Sequence, residues 1–379
     1  MNYVNLKVSP PIMPISVEDW RAFFSLSVKR DSKLVEGYIR FIELCENKGL
    51  PPIFEERHLA HLIGIPYSNM AYFFSVASGR YRTFTIPKRR GGRREINVPT
   101  PLLLAIQQWI LHNILYKLPM SEFAHGGVPG RSILSNARAH LGAKAVLRVD
   151  LKQFFDSVEF PIGIRIFEAA GYSPKMSKSL ALLCFENGRL PQGAATSSTL
   201  ANLAAISLDI RLSKLANKFE LTYTRYVDDL TFSGRSIGPG FISAVEGVVE
   251  QCRFVVNAEK TQLARGKSPK FVTGLAVGGD RLRIPRAFRR EVRNQAFQIT
   301  RRGVQNHLEA IESSDPLIIE KVLGQLAFWL QVEPESAMAR KLFANLSLYR
   351  RTVSTDTLLP PPRRIIQIGT MPIDERRKE

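Results

Sequence analysis

The chain has 379 residues and a mass of 42.7 kDa, which allows two or three domains with a sizeable core, and its 45% hydrophobic and 23% charged residues exclude wholesale disorder. Its 53 Lys and Arg outnumber its 34 Asp and Glu, so the net charge is +19 and the pI is near 10.1, which favours a polyanionic partner, above all nucleic acid. The three cysteines are widely spaced, no apolar stretch is long enough to cross a bilayer, and the start of the sequence shows no signal-peptide pattern. These features predict a cytoplasmic protein with reduced thiols, no zinc site and no membrane segment.

The N-terminal part of the chain carries a helical pattern. Apolar residues recur at helical spacing over residues 16–50, and Ser16 precedes Glu18 and Asp19 as an N-cap would. Pro51–Pro52 then interrupts the pattern. We therefore expect residues 1–75 to form a helical extension ahead of the main domain.

A basic β-hairpin is predicted over residues 80–98. Alternating apolar residues flank Gly91–Gly92, and the stretch from Arg80 to Arg94 holds seven basic residues and no acid. Seven cations on two short strands repel one another. The hairpin is therefore better interpreted as a binding site for a polyanion that neutralises these charges than as a solvated surface. A helix is predicted to follow at residues 101–118.

The middle of the chain alternates between strand-like and helix-like segments. The predicted elements are a strand at 145–151, a helix at 161–170, a loop entering a long helix within 191–215, a hairpin at 221–234 and a short strand at 271–277. This mixture predicts an α+β fold with helices on one face of a sheet.

The C-terminal part is predicted to be a separate basic helical domain. Eight arginines and two glutamates lie between Arg281 and Glu309, and the helical pattern continues to residue 351. The segment from residue 352 onward contains Pro360–Pro362 and ends in charged residues, so we expect residues 352–379 to be disordered.

Three carboxylates are the strongest candidates for chemistry. Asp228 and Asp229 lie between two apolar, strand-forming runs, where adjacent like charges need a cation, and Asp150 ends a strand that is otherwise apolar. Such a set can hold two metal ions about 4 Å apart, the arrangement used in phosphoryl transfer. Hard oxygen ligands without a nearby Cys or His pattern favour Mg²⁺ over zinc.

Several motifs resemble those of reverse transcriptases. Tyr226–Asp229 resembles the YxDD box, Asp150–Asp156 resembles the first catalytic motif, and Leu190–Gly193 resembles the nucleotide-positioning motif, in the family's order. Asn136–His140 is similar to the NAxxH element of retron reverse transcriptases and Val272–Gly274 to their VTG triplet. The ordered set identifies the chain as similar to retron-type enzymes, with group II intron-like enzymes as the main competitor.

The resemblance covers residues 80–280 and implies a right-hand polymerase. The fingers and palm, with an antiparallel sheet and helices on one face, are expected at residues 76–280. A helical basic thumb is expected at residues 281–351.

The resemblance also implies roles for individual residues. Asp150, Asp228 and Asp229 are expected to be the metal ligands for two Mg²⁺ ions. Lys260 matches the lysine that protonates the leaving pyrophosphate, although a lone lysine would otherwise be interpreted as solvated. Phe155 occupies the position of a steric gate against ribonucleotides.

Four further residues are expected at the nucleotide. Gln192 and Gly193 precede a helix and are expected to approach the incoming nucleotide, and Lys88 and Arg94 on the basic hairpin are expected to grip its triphosphate. For Phe155 the alternative is a core aromatic beside Phe154.

Contacts to RNA are expected in two places. Asn136 and His140, four residues apart on one helix face, are predicted to donate hydrogen bonds to a structured RNA. Arg289 and Arg290 are predicted to bind phosphates without regard to sequence.

The resemblance implies a function in bacterial anti-phage defence. The template would be a cognate noncoding RNA, priming would start from a guanosine 2′-OH, and dNTPs would be joined into a branched RNA–DNA hybrid (msDNA). A separate effector protein is expected as partner, and a higher-order oligomer is allowed. Group II intron-like and abortive-infection reverse transcriptases, and a non-catalytic RNA-binding scaffold, stay open as alternatives.

Overall fold

The structure is a computed structural model that describes residues 16–27, 31–75, 79–87 and 91–352, and it divides the chain into two units, Met1–Arg281 and Leu282–Glu379. In the first unit the helices are α1 (Val17–Ala22), α2 (Ser32–Asn47), α3 (Glu56–Ile63), α4 (Tyr67–Ser75), α5 (Pro101–Asn113), α6 (Ile133–Arg138), α7 (Phe160–Ala170), α8 (Pro174–Cys184), α9 (Ser197–Ala204), α10 (Ile206–Lys218) and α11 (Pro239–Gln251). The strands of this unit are β1 (Tyr81–Pro87), β2 (Arg93–Pro99), β3 (Ala145–Leu151), β4 (Thr222–Tyr226), β5 (Asp229–Gly234), β6 (Val256–Arg265), β7 (Phe271–Val272) and β8 (Leu275–Ala276). The second unit contains α12 (Arg286–Arg302), α13 (Val304–Ala310), α14 (Ile318–Val332) and α15 (Ala337–Thr352).

The first unit is built around a four-stranded antiparallel sheet with the strand order β4-β5-β3-β6. The central strand β3 is almost entirely buried, which explains its continuous apolar sequence. Helices α10 and α11 pack against each other and against the outer strands β4 and β6, respectively. Phe241 of α11 also packs against Phe232 of β5, with ring centroids 5.1 Å apart, and burying each of these rings is worth about 1.5–3 kcal/mol of transfer free energy. This architecture confirms the predicted α+β fold.

Local sequence signals explain several element boundaries. Ser16 caps α1 in a reciprocal capping box with Asp19, as expected. The basic hairpin forms from β1 and β2, with Phe84 paired to Ile96. Helix α7 ends at Gly171, whose φ of 118° suits glycine.

Three elements differ from the sequence-based predictions. The single long helix predicted in residues 191–215 is two helices, α9 and α10, separated at Ala205, where no Gly or Pro marks a break. The predicted strand at 271–277 is a tight hairpin of β7 and β8, turned by Thr273 and Gly274 at positive φ. Strand β6 was not predicted because it is an edge strand with a mostly polar, exposed sequence.

The second unit is helical. Helix α12 buries Val292, Ala296 and Ile299 within this unit and packs against α13, α14 and α15. Its opposite face is exposed and rich in arginine. The division of the chain into four domains stays a prediction, and residues 353–379 of the predicted tail lie outside the described residues. No helix in the described part of the chain is long and apolar enough to span a bilayer.

Candidate active site

The central sheet brings the three candidate carboxylates together at one end. Asp150 on β3 is the register partner of Asp229, the first residue of β5. Asp228 precedes it in the two-residue turn that joins β4 to β5, because Tyr226 pairs with Asp229 across that turn. The backbone N–H of Leu151 donates to the carbonyl oxygen of Asp228 at 2.9 Å, which ties the turn to β3. Residues about 80 positions apart in the sequence therefore converge.

Two cationic side chains form ion pairs with these carboxylates. The Lys260 ammonium on β6 donates to both Asp150 oxygens at 2.8 and 3.1 Å, and the Asn257 amide donates to the same carboxylate at 3.1 Å. The Arg148 guanidinium donates to Asp229 Oδ2 at 2.7 Å. Arg148 was not singled out in the sequence, although it lies two positions before Asp150 and hence on the same face of β3.

The carboxylates nevertheless carry an excess of negative charge. Burial, followed by the neighbouring charge of Asp150, raises the pKa of Asp228 above its ordinary value. Burial also raises the pKa of Asp229, although Arg148 opposes the shift. A bound cation would relieve this cost.

The donor set suits a divalent cation in its chemistry. Three carboxylates offer the hard oxygen ligands that Mg²⁺ prefers. Within the residues that the structure describes, no three His, Cys, Asp or Glu side chains are grouped as a metal centre would need them. Lys260 donates to both oxygens of Asp150 and Arg148 to one oxygen of Asp229, so a metal ion would compete with these two cations for the carboxylates.

The two candidate gate residues lie in different environments. Phe154 is 2% exposed and packs against Phe254, with ring centroids 5.6 Å apart. Phe155 is half-buried beside it, at a centroid distance of 5.8 Å. Phe154 is therefore the core aromatic, and Phe155 is the more accessible of the two rings.

The Leu190–Gly193 segment packs against the basic hairpin. The Asn97 N–H on β2 donates to the Gln192 carbonyl oxygen at 2.7 Å. Gly193 has a φ of 123°, and a Cβ there would lie 2.8 Å from the Asn97 carbonyl oxygen, so only glycine fits. The backbone of Gln192 and Gly193 thus anchors β2. Arg94 is exposed on that strand, and Lys88 lies outside the described residues.

The structure corrects the predicted RNA contacts of the NAxxH element. Asn136 is fully buried and His140 is 1% exposed. The His140 ring bridges the sheet, with Nδ1 2.7 Å from Ser233 Oγ and Nε2 2.7 Å from Thr224 Oγ1. Burial lowers the pKa of His140 to about 4, which keeps the ring neutral. Neither side chain is available to an RNA. His140, which follows α6, is instead tied to Thr224 on β4 and Ser233 on β5, whereas the buried Asn136 amide has no hydrogen-bond partner within the described residues.

The VTG triplet is hydrogen-bonded to the start of α6, the helix that carries Asn136. Thr273 Oγ1 donates to the carbonyl oxygen of Ile133, at the start of α6, at 2.9 Å. The Gly142 N–H donates to the Val277 carbonyl oxygen at 2.8 Å. The hairpin that carries the VTG triplet is therefore tied to the segment that carries the NAxxH element.

The two predicted thumb arginines differ in their surroundings. Arg290 is exposed on α12, whereas Arg289 is half-buried and 3.9 Å from Glu333, which also accepts a hydrogen bond from the Ile284 N–H. Arg289 is therefore engaged within its own unit. The exposed face of α12 carries Arg286, Arg290 and Arg293.

The chain is similar in sequence to known reverse transcriptases. The sequence model of the family described as "Reverse transcriptase (RNA-dependent DNA polymerase)" matches residues 86–278. The chain is 35% identical over 346 residues to the retron Mx162 reverse transcriptase of Myxococcus xanthus, covering 82% of this chain and 70% of that protein. It is 34% identical over 339 residues to the retron Mx65 reverse transcriptase of the same organism, covering 80% and 78%. It is 33% identical over 295 residues to the retron Ec86 reverse transcriptase of Escherichia coli, covering 76% and 88%.

Proposed function

Because the chain belongs to the retron reverse transcriptases and is an RNA-directed DNA polymerase, we propose that it copies part of a structured noncoding RNA into DNA that stays joined to that RNA as a branched hybrid. The observation that carries the proposal is the convergence of Asp150, Asp228 and Asp229 at one end of the central sheet. A scaffold that only bound RNA would have no use for three carboxylates brought together in a basic protein.

The reaction we propose is the attack of a primer hydroxyl on the α-phosphate of a dNTP, with pyrophosphate as the leaving group. Reverse transcriptases generally use divalent metal ions, and two Mg²⁺ ions held by the three aspartates would supply electrostatic stabilisation of the attacking and leaving oxygens. Lys260, once released from Asp150, would hold the proton that the departing pyrophosphate takes up at its oxygen.

The remaining contacts orient the nucleotide. Arg94, with Lys88, would grip the triphosphate through charge-assisted hydrogen bonds. The Phe155 ring would lie under the sugar and clash with a 2′-OH. The backbone of Gln192 and Gly193 would hold β2 in place while the hairpin closes on the substrate.

We also propose a biological setting, which the resemblance to retron enzymes supports. The priming group would be a guanosine 2′-OH within the noncoding RNA, and the RNA–DNA–protein complex would serve in anti-phage defence with a separate effector protein. The net charge of +19 supports a particle in which the polypeptide is embedded in nucleic acid.

One experiment tests the proposal and separates its alternatives. The chain is expressed with its flanking genomic sequence, and the nucleic acid that copurifies is sequenced before and after debranching, with Asp228→Asn as the inactive control. A branched RNA–DNA molecule present only with the wild type is the expected result. RNA without DNA would instead support a binding scaffold, and unbranched cDNA would support a group II intron-like enzyme.

A further inference from the structure

The turn that carries Asp228 has an unusual backbone. Val227, its first residue, has a φ of 59°, in the left-handed region that β-branched residues avoid. Two-residue hairpin turns with a positive φ at the first position usually have Asn, Asp or Gly there. The Val227 side chain packs against Gly126, where an added Cβ would lie 2.6 Å from Val227 Cγ2. The strain is therefore maintained by the surroundings of the turn.

A buried arginine holds the strained residue. The Arg225 guanidinium is fully buried, and its Nη1 donates to the Val227 carbonyl oxygen at 3.0 Å and to Asn202 Oδ1 at 2.8 Å. Its Nε and Nη2 donate to the two carboxylate oxygens of Asp209 at 2.8 and 2.7 Å. The Tyr223 hydroxyl donates to Asp209 Oδ1 at 2.8 Å, so the carboxylate is well satisfied.

The same network fixes the loop behind the turn. The Asn202 amide nitrogen on α9 donates to the Gly126 carbonyl oxygen at 2.8 Å. The Arg225 N–H donates to the Phe123 carbonyl oxygen, and the His125 N–H donates to the Arg225 carbonyl oxygen. The loop therefore runs alongside β4 and brings Gly126 against Val227.

A buried ion pair is a poor way to gain stability. Desolvation offsets most of the attraction between two buried charges, and well-packed apolar residues often replace such a pair without loss. What an apolar replacement lacks is a donor aimed at the Val227 carbonyl oxygen. The placement of that donor points to a role at the turn rather than in the core alone.

We propose that Arg225 is a positioning residue for polymerisation, which holds Val227 in its left-handed conformation and so presents Asp228 beside Asp150. Asp209 neutralises and orients the guanidinium, and Asn202 links the turn to α9. This inference rests on the polymerase activity of the proposed function but not on a branched product.

The test uses the full-length chain with an annealed RNA template and DNA primer. Arg225→Lys keeps the charge but has three donors on a single nitrogen, which cannot reproduce the four hydrogen bonds that the guanidinium makes from three nitrogens. We expect kcat for dNTP incorporation to fall about 10- to 100-fold from a small displacement of Asp228, with the KM for primer–template unchanged. Mn²⁺ binding in the absence of dNTP, followed by electron paramagnetic resonance, should weaken several-fold.

A matched control separates positioning from general stability. Gln107 on α5 is also fully buried and donates to the Tyr81 hydroxyl at 2.7 Å and to the Leu183 carbonyl oxygen at 2.9 Å. Gln107→Met should lower the melting temperature as Arg225→Lys does, yet leave Mn²⁺ binding at the wild-type value. If Arg225→Lys does not fold, Asn202→Ala, which keeps the buried ion pair, should show the same shifts on a smaller scale.

A double-mutant comparison tests the proposed cause directly. Glycine adopts a φ near 59° without strain, so Val227→Gly should reduce the need for Arg225. Arg225→Lys should therefore cost much less in kcat and Mn²⁺ affinity in the Val227→Gly background than in the wild type. Equal costs in both backgrounds, or Arg225→Lys with wild-type kcat and Mn²⁺ affinity, would overturn the inference. Absence of extension by the wild-type chain would count against the proposed polymerase function instead.

Discussion

Asp228 is one of the three proposed metal ligands. It lies in the turn between β4 and β5, close enough to Asp150 that the charge of Asp150 raises its pKa. Asp228→Asn keeps the size of the side chain and removes its charge. We expect dNTP incorporation on an annealed template–primer to fall by orders of magnitude while RNA affinity stays near the wild-type value.

The control for this prediction is Asp280→Asn. Asp280 is exposed and lies 3.7 Å from Arg281, so the same chemical change should leave incorporation unaltered. Near-normal extension by Asp228→Asn would refute the assignment of the carboxylates, and loss of RNA binding would point to misfolding.

Phe155 gives a second prediction at the scale of a single side chain. Because its ring is half-buried next to the active-site strand, Phe155→Val should open space under the sugar and raise rNTP incorporation relative to dNTP. Phe154 is a buried core residue, so Phe154→Leu should lower the melting temperature without changing the discrimination ratio. Single-nucleotide incorporation with each substrate gives the ratio. An unchanged ratio in Phe155→Val would remove its gate role.

The sequence reveals some site residues more readily than others. Asp150, Asp228 and Asp229 could be predicted because charges beside buried strands require a partner. Arg225 was missed because its partner Asp209 lies on a separate helix, and no short-range pattern reports that pairing. The opposite error occurred at His140, since helical spacing places it on a face but does not show that the face packs on the sheet.

At the scale of elements, His140 follows α6 and is hydrogen-bonded to β4 and β5, and we expect it to make the stability of the first unit depend on pH. The pKa of His140 is about 4 in the folded state, below the ordinary value of 6.5 that the unfolded chain would show. The unfolded state therefore takes up a proton first as pH falls, so stability is full above about pH 6.5 and is lost down to about pH 4. The loss amounts to about 3 kcal/mol for a shift of this size.

Urea unfolding at pH 7.5 and pH 5 measures this effect. His140→Asn should be less stable than the wild type at pH 7.5, and the difference should shrink at pH 5, whereas the exposed His112→Asn should follow the wild-type profile. Because the side chain is buried, initiation and primer extension should decline together in His140→Asn. A selective loss of initiation would restore the original prediction of direct RNA contact.

Elements with strong local signals were predictable, and those defined by their neighbours were not. The strand at 145–151 has the predicted bounds, since a continuous apolar run specifies a central strand. Strand β6 depends on pairing with β3 rather than on its own polar sequence. The break between α9 and α10 has no local breaker residue, so no short-range pattern predicts it.

For the whole molecule, composition and motif order were sufficient to predict the class of protein. The retron resemblance is confirmed by relatives at 33–35% identity, and the α+β fold is confirmed by the structure. The excess of basic residues predicted a nucleic-acid partner, but it did not show which cations are free to bind one. Arg80, for example, is 7% exposed and donates to the carbonyl oxygens of Leu182 and Phe185, so it stabilises the fold.

The salt dependence of RNA affinity should be set by the arginines that are exposed to solvent. Arg286, Arg290 and Arg293 form an exposed face on α12, where they are free to contact phosphates. Changing all three to Gln should weaken binding to cognate and unrelated RNA by the same factor and flatten the slope of log affinity against log salt by about 2. Arg289→Gln should leave that slope unchanged and lower the melting temperature instead, because the buried Glu333 carboxylate loses one of its two arginine partners and keeps only Arg283. Filter-binding titrations at several salt concentrations measure the slope. A triple variant that lost affinity for the cognate RNA alone would show that α12 reads shape or sequence rather than phosphate charge.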